Sequence, residues 1–336
     1  MHSHPCLPQH RRFCARSSVA LLIAFGALPA IAALPETAPY PSKPIRLVVP
    51  FAPAGSADAL ARTIQPALSD ALGQTIVIDN RPGASSTIGT DMTAKAAPDG
   101  YTLVLITTTH TVNPSLIAKL PYDTVKDFAA VSLVVSQPNI LVVHPAVAAK
   151  SVRELVTQAK AKPNTMNFAS GGNGSSPHLS GELFKIVAGI QITHIPYKGS
   201  GPGVTDLLGG HVQMMFAGPL ALEQHIKSGR LRPLAVADQR RSAVLPDVPT
   251  MTEAGFPGVE TGTWYGILAP ARTPPATVAL IQRGIARILQ AADLKSRMLN
   301  QGVDIVASSP AEFEKFIIAE VAKWSRVVQT AGVRAD

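Results

Sequence analysis

Cysteine is almost missing from this sequence: Cys6 and Cys14 are the two in 336 residues, and both fall in the first fourteen positions. A chain processed past them has no thiol, which excludes disulfides, thiol catalysis and cysteine–zinc sites together. Aromatics are sparse at 5%, and the basic residues are scattered. No basic stripe interleaved with stacking rings is present, so nucleic acid is excluded as a partner. No histidine pair with a nearby acid has metal-ligand spacing, and no metal is expected. Catalytic signatures are lacking too. There is no G-x-S-x-G elbow and no P-loop, and Gly172-Asn173-Gly174 meets Pro177 where a dinucleotide fingerprint needs its third glycine. Asp58, Asp99, Asp123 and Asp127 are isolated acids in cap or turn contexts. The reading is therefore of a non-enzyme with no catalytic residues and no cofactor.

What the N-terminus does contain is ordered. Arg11, Arg12 and Arg16 precede an apolar run from Val19 to Leu28, no acid stands before Glu36, and Ala30-Ile31-Ala32 is a small-x-small cleavage signal. This is the layout of a secretory signal peptide. The run is about half the ~20 residues that span a bilayer. Cleavage near Ala32 predicts a periplasmic protein, free of a lipid anchor because no cysteine stands at the cut. An uncleaved membrane anchor is the alternative. The remaining chain, about 300 residues, suffices for two lobes with separate cores. The net charge of +8 loses three arginines with the signal and is a weak attraction for anions.

Strand and helix signals alternate. Ile45–Val49, Thr75–Ile78 and Thr102–Ile106 are short β-branched strands. Between the first two, Leu60, Ile64, Leu68 and Leu72 recur at helical spacing. Gly73 stops that helix and Pro66 is expected to bend it. A second helix is expected over about Ile88–Ala97. The pattern repeats: Ser151-x-x-Glu154 and Ser176-Pro177 open helices. Strands are expected near Met166–Ala169, Gln191–Ile195, Gln213–Phe216, Pro233–Val236 and Trp264–Leu268. Helices follow from Thr277 to about Ala291 and from Ser309-Pro310-x-Glu312, the last carrying Phe313, Phe316, Ile317 and Val321 inward. Such alternation predicts an α/β fold of two lobes, each a mostly parallel sheet flanked by helices, with a ligand cleft between them. The tail after Trp264 should dock back on the first lobe. The chain would then cross near Val134–Val143 and near Gly255–Gly266, making a hinge. The expected division is a signal peptide at 1–32, one lobe from 33–138 with 258–336, and the other from 139–257.

Ligands of open α/β sheets lie beyond the carboxyl ends of the strands. The segments there are Pro50 to Asp58, Asn80 to Thr87, Thr107 to His110, Ser170 to Pro177 and Tyr197 to Gly201. Small residues let the backbone approach a ligand, and helix starts present N–H groups to an anion. Turn and cap chemistry accounts for any one such loop equally well. Five on one edge favour a carboxylate cradle. His110 and His178 fall in these loops as candidate contacts, whereas His144, His194, His211 and His225 read as ordinary surface or core. Lys198 either neutralises a carboxylate or points into solvent.

Several motifs occur in a familiar order: Pro44-Ile45-Arg46-Leu47-Val48-Val49-Pro50-Phe51, Asn80-Arg81-Pro82-Gly83-Ala84, Ala97-Pro98-Asp99-Gly100-Tyr101-Thr102-Leu103, Pro196-Tyr197-Lys198-Gly199, Asp206-Leu207-Leu208-Gly209-Gly210 and Leu245-Pro246-Asp247-Val248-Pro249-Thr250. With these the chain resembles the Bug family of extracytoplasmic solute receptors, the TctC-like components of tripartite tricarboxylate transporters. The resemblance implies a two-lobed, type II-like periplasmic binding fold, capture of a small organic carboxylate between two loops, and transient handover to an integral membrane permease by a monomer. The loop positions it carries over are Ala54, Gly55, Ser56 and Asp58, and Ser170, Gly172, Asn173, Gly174 and Ser175. Phe51, Ser86, Thr108, His178, Tyr197, Lys198 and Ala217 complete the candidate ligand contacts. The sequence departs from the family where glycine pairs are common, at Ala54-Gly55 and Ser85-Ser86, and where acids are common, near Gln213 and Ala217-Gly218. Loss of those acids removes a partner for a ligand amine and points to a plain carboxylate, or a ligand with an apolar body, rather than an amino acid. A ligand-loaded partner of a sensor is the alternative role, and a periplasmic enzyme a more distant one.

Overall fold

The computed structural model describes residues 39–331. The expected signal peptide and its two cysteines lie outside the described residues. The chain runs β1 (Ile45–Val49), α1 (Ser56–Leu72), β2 (Ile76–Asn80), α2 (Thr87–Ala94), β3 (Thr102–Thr107), α3 (Thr108–Leu116) and β4 (Phe128–Val143). It continues with α4 (Val152–Ala161), β5 (Asn167–Ser170), α5 (Ser176–Ala188), β6 (Thr193–Pro196), α6 (Ser200–Leu208), β7 (Met214–Ala217), α7 (Pro219–Lys227) and β8 (Arg232–Ala237). It closes with β9 (Gly262–Pro270), α8 (Pro275–Gln290), α9 (Ala292–Asn300), β10 (Asp304–Ile305) and α10 (Pro310–Ala331).

The local signals act as their chemistry dictates. In α1, Leu60, Ile64, Leu68 and Leu72 are buried on one face, and Gly73 ends the helix in the left-handed conformation at φ 68°. The helix continues through Pro66, whose ring lies on the solvent face, as does Arg62, to whose carbonyl a proline can donate no hydrogen bond. Ser151 caps α4 by accepting from the Glu154 N–H. The cap of α5 is Ser175, one residue before the serine expected, and it accepts from the His178 N–H. The second helix stops at Ala94, short of the expected Ala97. The segment from Thr107, expected to be a loop, is the start of α3.

Two groups of parallel strands, β2-β1-β3 and β7-β5-β6, are joined by long antiparallel ones. β9 pairs β3 and then β4 from Phe128 through Pro138. From Asn139 onward β4 pairs β7 and β8 instead. One 16-residue strand thus belongs to both halves. Leu60, Ile64, Ile281 and Ile285 of α1 and α8 cover one face of the first sheet, and Phe313 and Ile317 of α10 cover the other beside Trp264. Leu155, Phe184 and Phe216 fill one face of the second sheet, and Val204, Leu207 and Leu222 the other. Each such side chain contributes about 1.5–3 kcal/mol by leaving water. Among the described residues no helix is long and apolar enough to cross a membrane.

Candidate functional site

Five helices begin around one small cavity between the two sheets. Its wall is built from Gly55, Ser56 and Ala57 at the start of α1, Thr107 and Thr109 at α3, Ser175, Ser176 and Pro177 at α5, Ser200 at α6 and Gly218 at α7. Phe51, Gly171, Thr263 and Tyr265 complete it, and the free volume is about 30 Å³. The first N–H groups of a helix have no partner within the helix. In α1, α6 and α7 the N-cap is glycine and supplies no side-chain acceptor. No charged side chain lines the cavity. Its positive potential comes from backbone dipoles, and hydroxyls supply further donors.

The loops that form it are held from behind. Ala54, in the left-handed conformation at φ 62°, donates its N–H to the Asp58 carboxylate at 3.0 Å. Asp58 also accepts from Arg62 at 2.9 Å and from Asn80 at 3.1 Å. Burial alone would raise the Asp58 pKa; the bonds from Arg62, the Ala54 N–H and Asn80 outweigh it and hold the carboxyl below its usual range. Asp58 is thus spent on the loop. On the other side, the Ser170 Oγ accepts from the Gly172 N–H at 3.0 Å and meets His194 Nε2 at 2.6 Å. The Gly174 N–H donates to His178 Nδ1 at 3.1 Å, and the two imidazoles stack at 4.1 Å. Burial, then repulsion from the charge that His178 would carry and from Lys185, lowers the His194 pKa to about 3. Tyr265 accepts from Gln137 at 2.8 Å, leaving its own proton to donate, and burial raises its phenol against the bonds from Ser56 and Gln137.

The cavity is closed because backbone meets backbone across it. The Ala52 N–H donates to the Lys198 carbonyl at 2.8 Å. A Cβ on Gly55 would stand 3.0 Å from the Gly201 nitrogen, and one on Gly201 would overlap the Pro53 carbonyl oxygen. A second cavity of about 170 Å³ adjoins, sharing Phe51 and Gly171 and lined by Pro50, residues 83–86, Gly172, Asn173, Pro196, Tyr197 and Lys198. A further cavity of about 750 Å³ lies behind the crossing strands around Trp264, Phe316 and Trp324, and no residue expected from the loops lines it.

Of the expected contacts, Phe51, Gly55, Ser56 and Ser175 line the small cavity, and Phe51, Ser86, Gly172, Asn173, Tyr197 and Lys198 line its neighbour. Ala54, Asp58, Ser170, Gly174 and His178 support the loops from behind. Two expected contacts lie outside both cavity linings. Ala217 is fully buried among Ile140, Val204 and Leu222, and Gly218 lines the cavity in its place. Thr108 is buried in α3, and its neighbours Thr107 and Thr109 face the cavity. His110 is likewise interior: its Nε2 meets the Thr124 carbonyl at 2.9 Å and its ring stacks on Tyr122. Thr263 and Tyr265 escaped the sequence reading, although period-two alternation along β9 puts both on one face. Among the described residues no group of His, Cys, Asp or Glu could hold a metal ion.

Comparison with known proteins agrees with this architecture. Residues 60–333 match the model of the tripartite tricarboxylate transporter family receptor, TctC. Protein BugT of Bordetella pertussis is 40% identical over 318 residues, covering 94% of this chain and 98% of that protein. The R. palustris protein Rpa4515, solved with adipate, superposes with a TM-score of 0.85 at 35% identity, over 88% of this chain and 99% of its own. MatC from Rhodopseudomonas palustris, solved with bound malate, gives 0.82 at 31% identity, over 86% of this chain and all of its own. The chain belongs to the TctC family of tripartite tricarboxylate transporter receptors, two-lobed solute-binding proteins rather than enzymes.

Proposed function

We propose that this protein captures a small organic carboxylate in the cavity between its lobes, in the periplasm, and delivers it to a membrane permease of the tripartite tricarboxylate type. The observation that carries the reading is the convergence of five helix starts on a closed cavity lined by no charged side chain. Such a site stabilises negative charge through oriented N–H groups and hydroxyls. Two to four charge-assisted hydrogen bonds, about 1.5–3 kcal/mol each, are enough for micromolar affinity after ordering costs. The relatives solved with adipate and malate support the ligand class. Neither cavity has an aspartate or glutamate in its lining, so a ligand ammonium would find no partner there. The reading is therefore of a carboxylate without an amine. The proposed lobes are 33–138 with 258–336 and 139–257, following the change of partners along β4 between Pro138 and Asn139.

Mass spectrometry of the ligand released from purified protein, followed by a thermal-shift panel of acids, tests this. A ligand at 100 times its Kd should stabilise the protein by about 2.7 kcal/mol. Tighter binding of aspartate or glutamate than of plain carboxylates would refute the amine-free reading. A panel in which no carboxylate raises the melting temperature would refute the function. Loss of uptake of the identified acid in cells lacking the protein is the expected sign of delivery.

A further inference from the structure

The cavity of about 750 Å³ behind the crossing strands takes no part in the proposed capture. It shares one residue, Thr263, with the small cavity between the sheets and none with that cavity's neighbour. Its size falls within the roughly 300–1,000 Å³ of small-molecule sites. Its wall is apolar and partly open to water: Leu183 and Phe316 are half-buried, and Val306 is 41% exposed. Both tryptophans of the chain, Trp264 and Trp324, also line it. Their indole N–H groups donate to one carboxylate oxygen, Glu320 Oε2, at 3.2 and 2.8 Å, which fixes both rings. Apolar surface rimmed by polar groups is the character of a ligand groove.

The charge of this groove is the reverse of the chain's. The sequence carries a net +8, whereas the lining holds four acids, Asp238, Glu260, Asp304 and Glu320, and one base, Lys323. Glu320 is paired with Lys323 at 2.9 Å. Among the described residues no cation pairs with the other three. Asp238 is half-buried, where a carboxylate without a counter-charge costs more than at an open surface. Lys323 shows what the groove accepts: its ammonium lies 4.8 Å over the centre of the Trp324 ring with a carboxylate beside it. An indole face attracts a cation through its ring quadrupole.

We infer that this groove is a second ligand site, separate from the cleft, for an organic cation with an apolar body, an amine or a quaternary ammonium. The apolar wall takes the carbon skeleton, and Asp238, Glu260 and Asp304 hold the charge. Three ion pairs at a partly open surface together amount to about tenfold in affinity. The inference does not rest on the carboxylate reading of the cleft.

Because Trp264 and Trp324 are the chain's two tryptophans, their emission reports on the groove directly. Titration of the purified protein, without added acid, by 2-phenylethylammonium against 2-phenylethanol and by hexylammonium against hexan-1-ol tests the site. At least one ammonium should change the emission saturably and bind about tenfold or more tightly than its alcohol, with a preference that shrinks as salt is raised. In the D238N/D304N variant the preference should fall to about threefold or less, while the affinity for the alcohol and the melting temperature hold. Glu260→Gln, at an exposed position, should lower the preference too, and it carries the test where the double variant does not fold. If neither ammonium changes the emission, or if the alcohols bind as tightly, the proposal is overturned. An undiminished preference in the variants would place the cation elsewhere and overturn it as well.

Discussion

His194 and His110 are kept neutral by their surroundings, each for a reason visible in its contacts. His194 stacks on His178 beneath the loop that follows β5 and meets Ser170 at 2.6 Å; burial first, then repulsion from His178 and Lys185, lowers its pKa to about 3. Burial lowers His110 to about 4, against the opposing effect of its bond to the Thr124 carbonyl. In the unfolded chain both titrate near the ordinary value of about 6.5. Below that pH the unfolded state therefore binds protons that the native state refuses, and stability falls as pH falls. With two histidines the slope approaches about 2.7 kcal/mol per pH unit between pH 6 and 4. Asp58 acts in a separate window: its folded pKa is depressed, so its contribution is whole above about pH 3.9 and is lost below. Urea melts from pH 7 to 4.5 measure the histidine slope, and His194→Gln should roughly halve it. A flat profile over that range would contradict the neutral assignment.

At the scale of elements, β4 is where the sequence was hardest to read. Strands average about five or six residues, and proline is rare within paired ones. β4 has sixteen residues and contains Pro138, so the sequence suggested only a crossing between lobes. Pro138 is tolerated because it faces Gly262 at the point where partners change. The shorter strands were legible because each is a β-branched run bounded by turn residues, and the loops of Gly55-Ser56 and Gly172–Ser175 were legible because they follow such strands. Thr263, Tyr265 and Gly218 were not, since they reach the cavity only through the pairing of β9 with β3 and of β7 with β4. Asn139 locks this junction. It is fully buried, donates to Ser176 at 2.7 Å and Ser180 at 2.9 Å, and accepts from Thr263 at 3.3 Å. Leucine has a similar volume but no polar atoms, so Asn139→Leu takes from Thr263 its acceptor, while Ser176 and Ser180 each lose one of several partners. At about 1–3 kcal/mol for a buried group left unsatisfied, a loss of that order in urea denaturation is expected.

For the molecule as a whole, the proposed capture depends on the two lobes meeting, and they meet through glycine. Gly55, Gly199 and Gly201 bring the loop of residues 52–55 against the start of α6, where any Cβ would press on backbone. If the cleft opens and shuts around its ligand as the proposed function requires, this contact belongs to the shut form, and a methyl group placed there acts on that form alone. Ligand binding draws on the free-energy difference between open and closed forms, and a penalty on the closed form reduces apparent affinity by the same factor. Gly201 sits in the first turn of α6 outside the left-handed region. Alanine there favours the helix by up to about 1 kcal/mol, so the unliganded fold should not suffer. Gly201→Ala is therefore expected to weaken binding of the captured acid at least tenfold while the melting temperature without ligand holds or rises. Gly203→Ala, two residues on, is the control: its methyl would meet the Tyr197 ring at 3.3 Å and the Met215 methyl at 3.4 Å, both side-chain atoms of the same lobe. Calorimetry and thermal melting of the two variants separate the cases. If Gly201→Ala binds as tightly as the wild type, closure through this contact is not part of ligand capture.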